Sequence, residues 1–175
     1  GDAFAVGVQR GVVMALVLAV PISAAMLLAE PLLRLARQPA EVLPLAGTYC
    51  RVLIPGMLPF LLYNVGRQTL QVLHRVGPVL WTILIANLVN VGLNKWLIFG
   101  GAGVPPLGVA GSAWATAISR VFMVLLLVWL ARRELLPLLR PIRHPLLVAA
   151  PFRTMLRIGV PIAFQLEIEM AAFSI

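Results

Sequence analysis

Long apolar runs alternate along this chain with short stretches that hold most of its charges. A bilayer core about 30 Å thick needs about 20 apolar residues per helix. The pattern predicts membrane helices over about 11–30, 43–66, 77–99 and 107–131, with a fifth beginning at 158 and running to 175. Pro21 falls inside the first, which membrane helices tolerate better than soluble ones. The second carries Pro55, Gly56 and Pro59, which predict a bent or locally broken helix. The connections are a polar stretch over 30–41, a basic one over 67–75, a Gly/Pro hairpin over 100–106 and a Pro-punctuated basic linker over 132–157.

Polar positions inside the spans carry the functional signal, because polar groups are costly in hydrocarbon. Asn87, Asn90 and Asn94 fall within about 60° of one another on a helix. They form either the wall of a polar cavity or hydrogen bonds that join helices, and the two roles are compatible. Asn64, Gln68, Gln71 and Arg75 share another face, which lines a cavity or leaves the bilayer. Gly108, Ser112 and Thr116, like Gly111, Ala115 and Ser119, repeat at four-residue spacing and predict close helix packing. Arg120 continues the first of these stripes, so it must face protein or water. Arg51 lies near a helix end, within reach of the interface by snorkelling. Glu167 and Glu169 point about 200° apart on the fifth helix. At most one faces a given cavity, unless that segment is interfacial and both meet water.

Composition agrees. The chain has 175 residues, 61% of them hydrophobic and 11% charged, with a mean hydropathy of +0.99. Soluble domains are about 25% charged, so this is a membrane chain. The net charge of +8 does not point to nucleic acid. With alternating connections, one side holds Arg10, Arg67, Arg75, Arg132, Arg133, Arg140, Arg143, Arg153 and Arg157. The other holds Arg34, Arg37, Arg51 and Lys95. The positive-inside rule puts the richer side, with the 132–157 linker, in the cytoplasm.

Other chemistry is sparse. Cys50 reads as a small buried apolar residue, and His74 and His144 as solvated loop residues. No metal, phosphate-loop or nucleophile motif is present, so an enzyme is not expected. The start at Gly1-Asp2-Ala3 lacks a basic n-region, so no secretory signal peptide is expected. The apolar stop at Ser174-Ile175 reads as an internal cut.

A resemblance emerges at the third and fourth helices. Asn87-Leu88-Val89-Asn90-Val91-Gly92-Leu93-Asn94, followed by Pro106-Leu107-Gly108-Val109-Ala110-Gly111-Ser112-Ala113-Trp114-Ala115-Thr116, resembles the fifth and sixth helices of the multidrug and toxic compound extrusion (MATE) family, NorM-like. Tyr49-Cys50-Arg51 through Pro55-Gly56, with Gln68 and Gln71, resembles the fourth helix. Arg157-Ile158-Gly159-Val160-Pro161, with Glu169 eight residues beyond the proline, resembles the seventh.

The resemblance implies an all-α polytopic bundle, about five membrane segments of a two-lobe, twelve-helix transporter. Residues 1–131 would give four helices of the first lobe, 132–157 the inter-lobe linker, and 158–175 the start of the second lobe. It implies multidrug:cation antiport in a bacterial cytoplasmic membrane. Substrates would be organic cations or amphipathic molecules, and the complete protein would act as a monomer in the bilayer. Glu169, Asn90 and Asn94 would bind the coupling cation or the substrate. Asn87, Gln68, Gln71 and Arg120 would line the cavity. No cofactor is implied; the coupling ion is a proton or sodium, the latter at Glu169. Glu167 has no family counterpart, and Lys95 is unusual beside Asn94. The alternative is a polysaccharide or lipid-linked-sugar flippase of the same superfamily, which would want several intramembrane arginines for a pyrophosphate.

Overall fold

The computed structural model describes residues 2–101 and 103–140, together with 153, 154 and 157. These residues are all-α apart from one isolated bridge in a hairpin. The elements are α1 (Asp2–Leu27), α2 (Ala29–Leu35), α3 (Val42–Val72), α4 (Val76–Phe99), α5 (Gly108–Leu130) and α6 (Arg132–Leu139). Four of them, α1, α3, α4 and α5, are long and apolar enough to cross a membrane. The expected fifth segment, with Glu167 and Glu169, lies outside the described residues. So does His144.

Several boundaries differ from the sequence pattern. Helix α1 starts at Asp2, nine residues before the charge-free run. Gln9 is buried within it and its Nε2 donates to the Leu138 carbonyl of α6 at 2.9 Å. The carboxylate of Asp2 in the first turn suits the positive helix start. The polar stretch over 30–41 begins with α2, where Pro31 occupies the first turn and costs no intrahelical bond. The linker over 132–157 begins with α6, whose Leu135 is buried. Cys50 is half-buried rather than buried.

Helix α3 runs without interruption through Pro55, Gly56 and Pro59, so the expected local break is absent. The sequence there serves close packing instead. A Cβ on Gly56 would lie 2.9 Å from Ala117 Cα of α5. The seam between α4 and α5 is as tight, since a Cβ on Gly111 would collide with the Leu97 carbonyl. Helix α5 therefore sits between α3 and α4, which hardly meet each other, and α1 covers the other flank of α3. The buried faces of α5 are small: Gly111, Ala113, Ala115, Ala117 and Ser119. Tyr63, Leu70, Val79, Leu127, Ala131 and Leu135 form a core toward the α6 end. Large apolar side chains such as Val20, Leu84, Leu88 and Val91 are exposed. In water such a surface would drive association, while in hydrocarbon it costs little.

The turns have identifiable chemistry. Arg37 and His74 are the non-glycine residues with positive φ, at 55° and 56°. Each stands just past a helix end. Arg37 N–H donates to the Arg34 carbonyl and Gln38 N–H to Leu33, while His74 N–H donates to Gln71 and Arg75 N–H to Leu70. This is the paired bonding of a Schellman cap, where glycine is the usual residue. The hairpin between α4 and α5 uses Gly100, Gly101 and Gly103 at positive φ. Trp96 Nε1 donates to the Gly101 carbonyl at 2.8 Å.

Candidate functional site

The polar residues of α4 and α5 converge between the helices. On α5, Thr116, Ser119, Arg120 and Met123 share one face at helical spacing. On α4, Ala86, Asn87 and Asn90 turn toward them. With Phe60 of α3 they line an open cavity of about 210 Å³. Helix α5 is held at backbone contact with both neighbours, at Gly56 of α3 and at Leu97 of α4.

The amide stripe divides its work. Asn90 Nδ2 donates to Ser119 Oγ of α5 at 3.1 Å. Asn94 Nδ2 donates to both the main-chain and side-chain oxygens of Asn90, each at 2.9 Å. Asn90 and Asn94 thus bind the α4–α5 seam, and Asn90 also lines the cavity. Asn94 lies one turn beyond it. Asn87 is exposed at the cavity without a side-chain hydrogen bond.

Arg120 is half-buried at the depth of the spans. Its guanidinium carbon lies 4.7 Å from the centroid of the Phe60 ring, a cation–π distance. Its Nη1 is 3.8 Å from Met57 Sδ. Gly56 makes room for its stem, since a Cβ there would lie 3.3 Å from Arg120 Cδ.

The remaining positions are separate. Gln68 lines a different recess of about 400 Å³ between α1 and α3, beside Gly7, Gly11 and Thr69. Gln71 is exposed near the end of α3. Lys95 is exposed, and His74 is exposed in its turn. Arg51, expected to snorkel, pairs with Glu30 of α2 at 3.0 Å. Glu30 also approaches Arg34 at 3.7 Å. That cluster rests on Gly47, where a Cβ would lie 3.0 Å from Glu30 Oε2. Among the described residues no group of His, Cys, Asp and Glu side chains is placed to hold a metal ion. The sequence reasoning missed Phe60 and Met57 as partners of Arg120. Helix periodicity cannot show them, because they lie on another helix.

The MatE family model matches residues 2–96. The chain belongs to the MatE family. Multidrug and toxin extrusion protein 2 of Mus musculus is 37% identical over 127 residues, covering 71% of this chain and 22% of that protein. Probable multidrug resistance protein NorM of Rhizobium meliloti is 31% identical over 174 residues, 96% of this chain and 36% of its own. The Geobacillus kaustophilus protein of the same name is 32% identical, with 95% and 38% covered. This MatE chain thus spans between 22% and 38% of the length of these relatives. None of the three names describes a flippase, which leaves that alternative unsupported. No solved structure matches the chain. The MatE match ends inside α4, while the longer similarities to the NorM proteins extend over both walls of the cavity.

Proposed function

We propose that this chain works as part of a secondary active multidrug:cation antiporter in the cytoplasmic membrane of a bacterium. The observation that carries the reading is the polar α4–α5 cavity inside an otherwise apolar bundle, in a chain similar to proteins named for multidrug resistance. Intramembrane polar groups are costly and mark substrate or ion paths.

In this reading Asn87 and Arg120 meet the substrate. Asn90 and Asn94 keep the α4–α5 wall rigid while the lobes rock. Rigid walls matter because alternating access moves whole helix bundles around a fixed site. The linker over 132–157 joins the lobes on the cytoplasmic side, which the excess of arginine there supports. Glu169 is the counter-charge for the coupling cation, a proton or sodium, or for a cationic drug. Tight α3–α5 and α4–α5 contacts at Gly56 and Gly111 favour motion of this half as one body.

Dye efflux from cells expressing the complete gene tests the proposal. Glu169→Gln should abolish gradient-driven efflux while leaving the protein in the membrane. Unchanged efflux in that variant would remove Glu169 from the mechanism. Loss of wild-type efflux on sodium removal, or on collapse of the proton gradient, names the coupling ion.

A further inference from the structure

Arg120 is a cation among apolar helices, and the described residues give it no carboxylate. Their acidic side chains, Asp2, Glu30, Glu41 and Glu134, all stand in or beside the ends of α1, α2, α3 and α6. Glu30 pairs with Arg34 and Arg51, away from Arg120. The close partners of Arg120 are neutral: the Phe60 ring and the Met57 sulfur. A guanidinium is strongly favoured by a bidentate anion, which neither neighbour supplies.

The groups around it share that preference. Asn87 has an amide with no partner, and its NH₂ can donate. Ser119 accepts a hydrogen bond from Asn90 and keeps its own proton to give. Guanidinium, amide and hydroxyl donors therefore border the same cavity. Phe60 adds an apolar wall. The volume of about 210 Å³ is below the roughly 300–1,000 Å³ of a site for a whole drug-sized molecule. It suits one end of such a molecule.

We infer that this cavity is a subsite for the carboxylate end of an amphipathic zwitterion, with Arg120 as its specificity-determining residue. The inference rests on the transport reading above and names the substrate class more closely. A substrate with only positive charge is repelled at this spot, whereas one bearing a carboxylate is held by it. A carboxylate from the protein itself would be the competing partner, and in that case Arg120 would act on folding rather than on substrate choice.

The test uses the complete protein, purified, with two probes: a xanthene dye bearing a free carboxylate and the methyl ester of the same dye. Binding is followed by fluorescence anisotropy, and efflux is measured in proteoliposomes. Wild type should prefer the carboxylate dye. Arg120→Gln should lower the carboxylate-to-ester preference about tenfold, the loss of one charge-assisted contact. Arg120→Lys keeps the charge but loses the two-pronged geometry, and its preference should fall between wild type and Arg120→Gln. The ratio is internally normalised, so a partly unfolded preparation does not change it. Equal loss for both dyes, or an unchanged ratio, overturns the inference while leaving the transport reading standing. A wild-type protein that binds and extrudes neither dye overturns both.

Discussion

Replacing Gly111 by alanine probes the seam that builds the cavity. The new methyl would meet the Leu97 carbonyl and also approach Ile98 N at 3.0 Å. Both are backbone atoms of α4, so no side-chain rotation can relieve the contact. The helices must separate by a few tenths of an ångström or more. Overpacking of this kind costs about 1–3 kcal/mol. Separation also stretches the Asn90–Ser119 bond, already 3.1 Å long, and an interhelical bond in a membrane is worth about 0.6 kcal/mol. The expected destabilisation is therefore about 1.5–3.5 kcal/mol. The comparison is Gly92→Ala on α4, where a Cβ meets nothing within 4 Å. That change should be neutral or stabilising by up to about 1 kcal/mol, because alanine is the better helix former. Reversible unfolding of the complete protein in mixed detergent micelles measures both. Equal stability of the two variants would refute the claim that α4 and α5 touch through their backbones at Gly111.

Two further predictions use the turns and the exposed charges. His74→Gly should stabilise the protein by about 1 kcal/mol in the same unfolding assay, because the left-handed φ of 56° strains a side chain and not a glycine. In a double-mutant cycle, Glu30→Gln and Arg51→Gln should couple by less than about 1 kcal/mol, and the coupling should fall as salt is added. The Arg51 side chain is 56% exposed, so screening limits the pair.

Most of the helical plan was legible because each span must satisfy its backbone internally and so reads as an apolar run. Four apolar helices long enough to span are present, with α1 beginning and α3 ending well outside the predicted runs. Of the two small-residue stripes of α5 it is Gly111 that packs at backbone contact, while Gly108 meets nothing within 4 Å. What escaped reading depends on contacts between distant segments. Gln9 lies ahead of the predicted first span, and its bond to Leu138 ties α1 to α6. Pro55, Gly56 and Pro59 predicted a bent or locally broken helix, and α3 is not broken there. Their local preference was overridden where α5 packs onto Gly56. The pairing of Arg51 with Glu30 spans 21 residues and has no periodic signature. At the site, the stripe of asparagines was visible, but which of them stays available was not, since that is decided by Ser119 on the neighbouring helix.

Hydrogen-bond accounting separates the site from the polar residues that merely sit in a span. Asn64, Thr69, Thr82, Asn94 and Thr116 each donate to the carbonyl four residues earlier, at 2.7–3.0 Å. Such back-bonding satisfies a polar group inside its own helix and leaves little for a ligand. Asn90 spends its amide on Ser119. The Tyr63 hydroxyl and Arg67 Nε are buried without partners, but Tyr63 belongs to the core toward α6 rather than to the cavity. After this subtraction three side chains at the cavity keep unspent donors, Asn87, Ser119 and Arg120. Each can donate to an anion, and they stand on helices in close contact at Gly111. Asn87 can also accept, so Arg120 is the one group at the cavity that carries a net charge. In a chain that resembles multidrug exporters, that makes the sign of the charge at this end of the substrate the property to vary first.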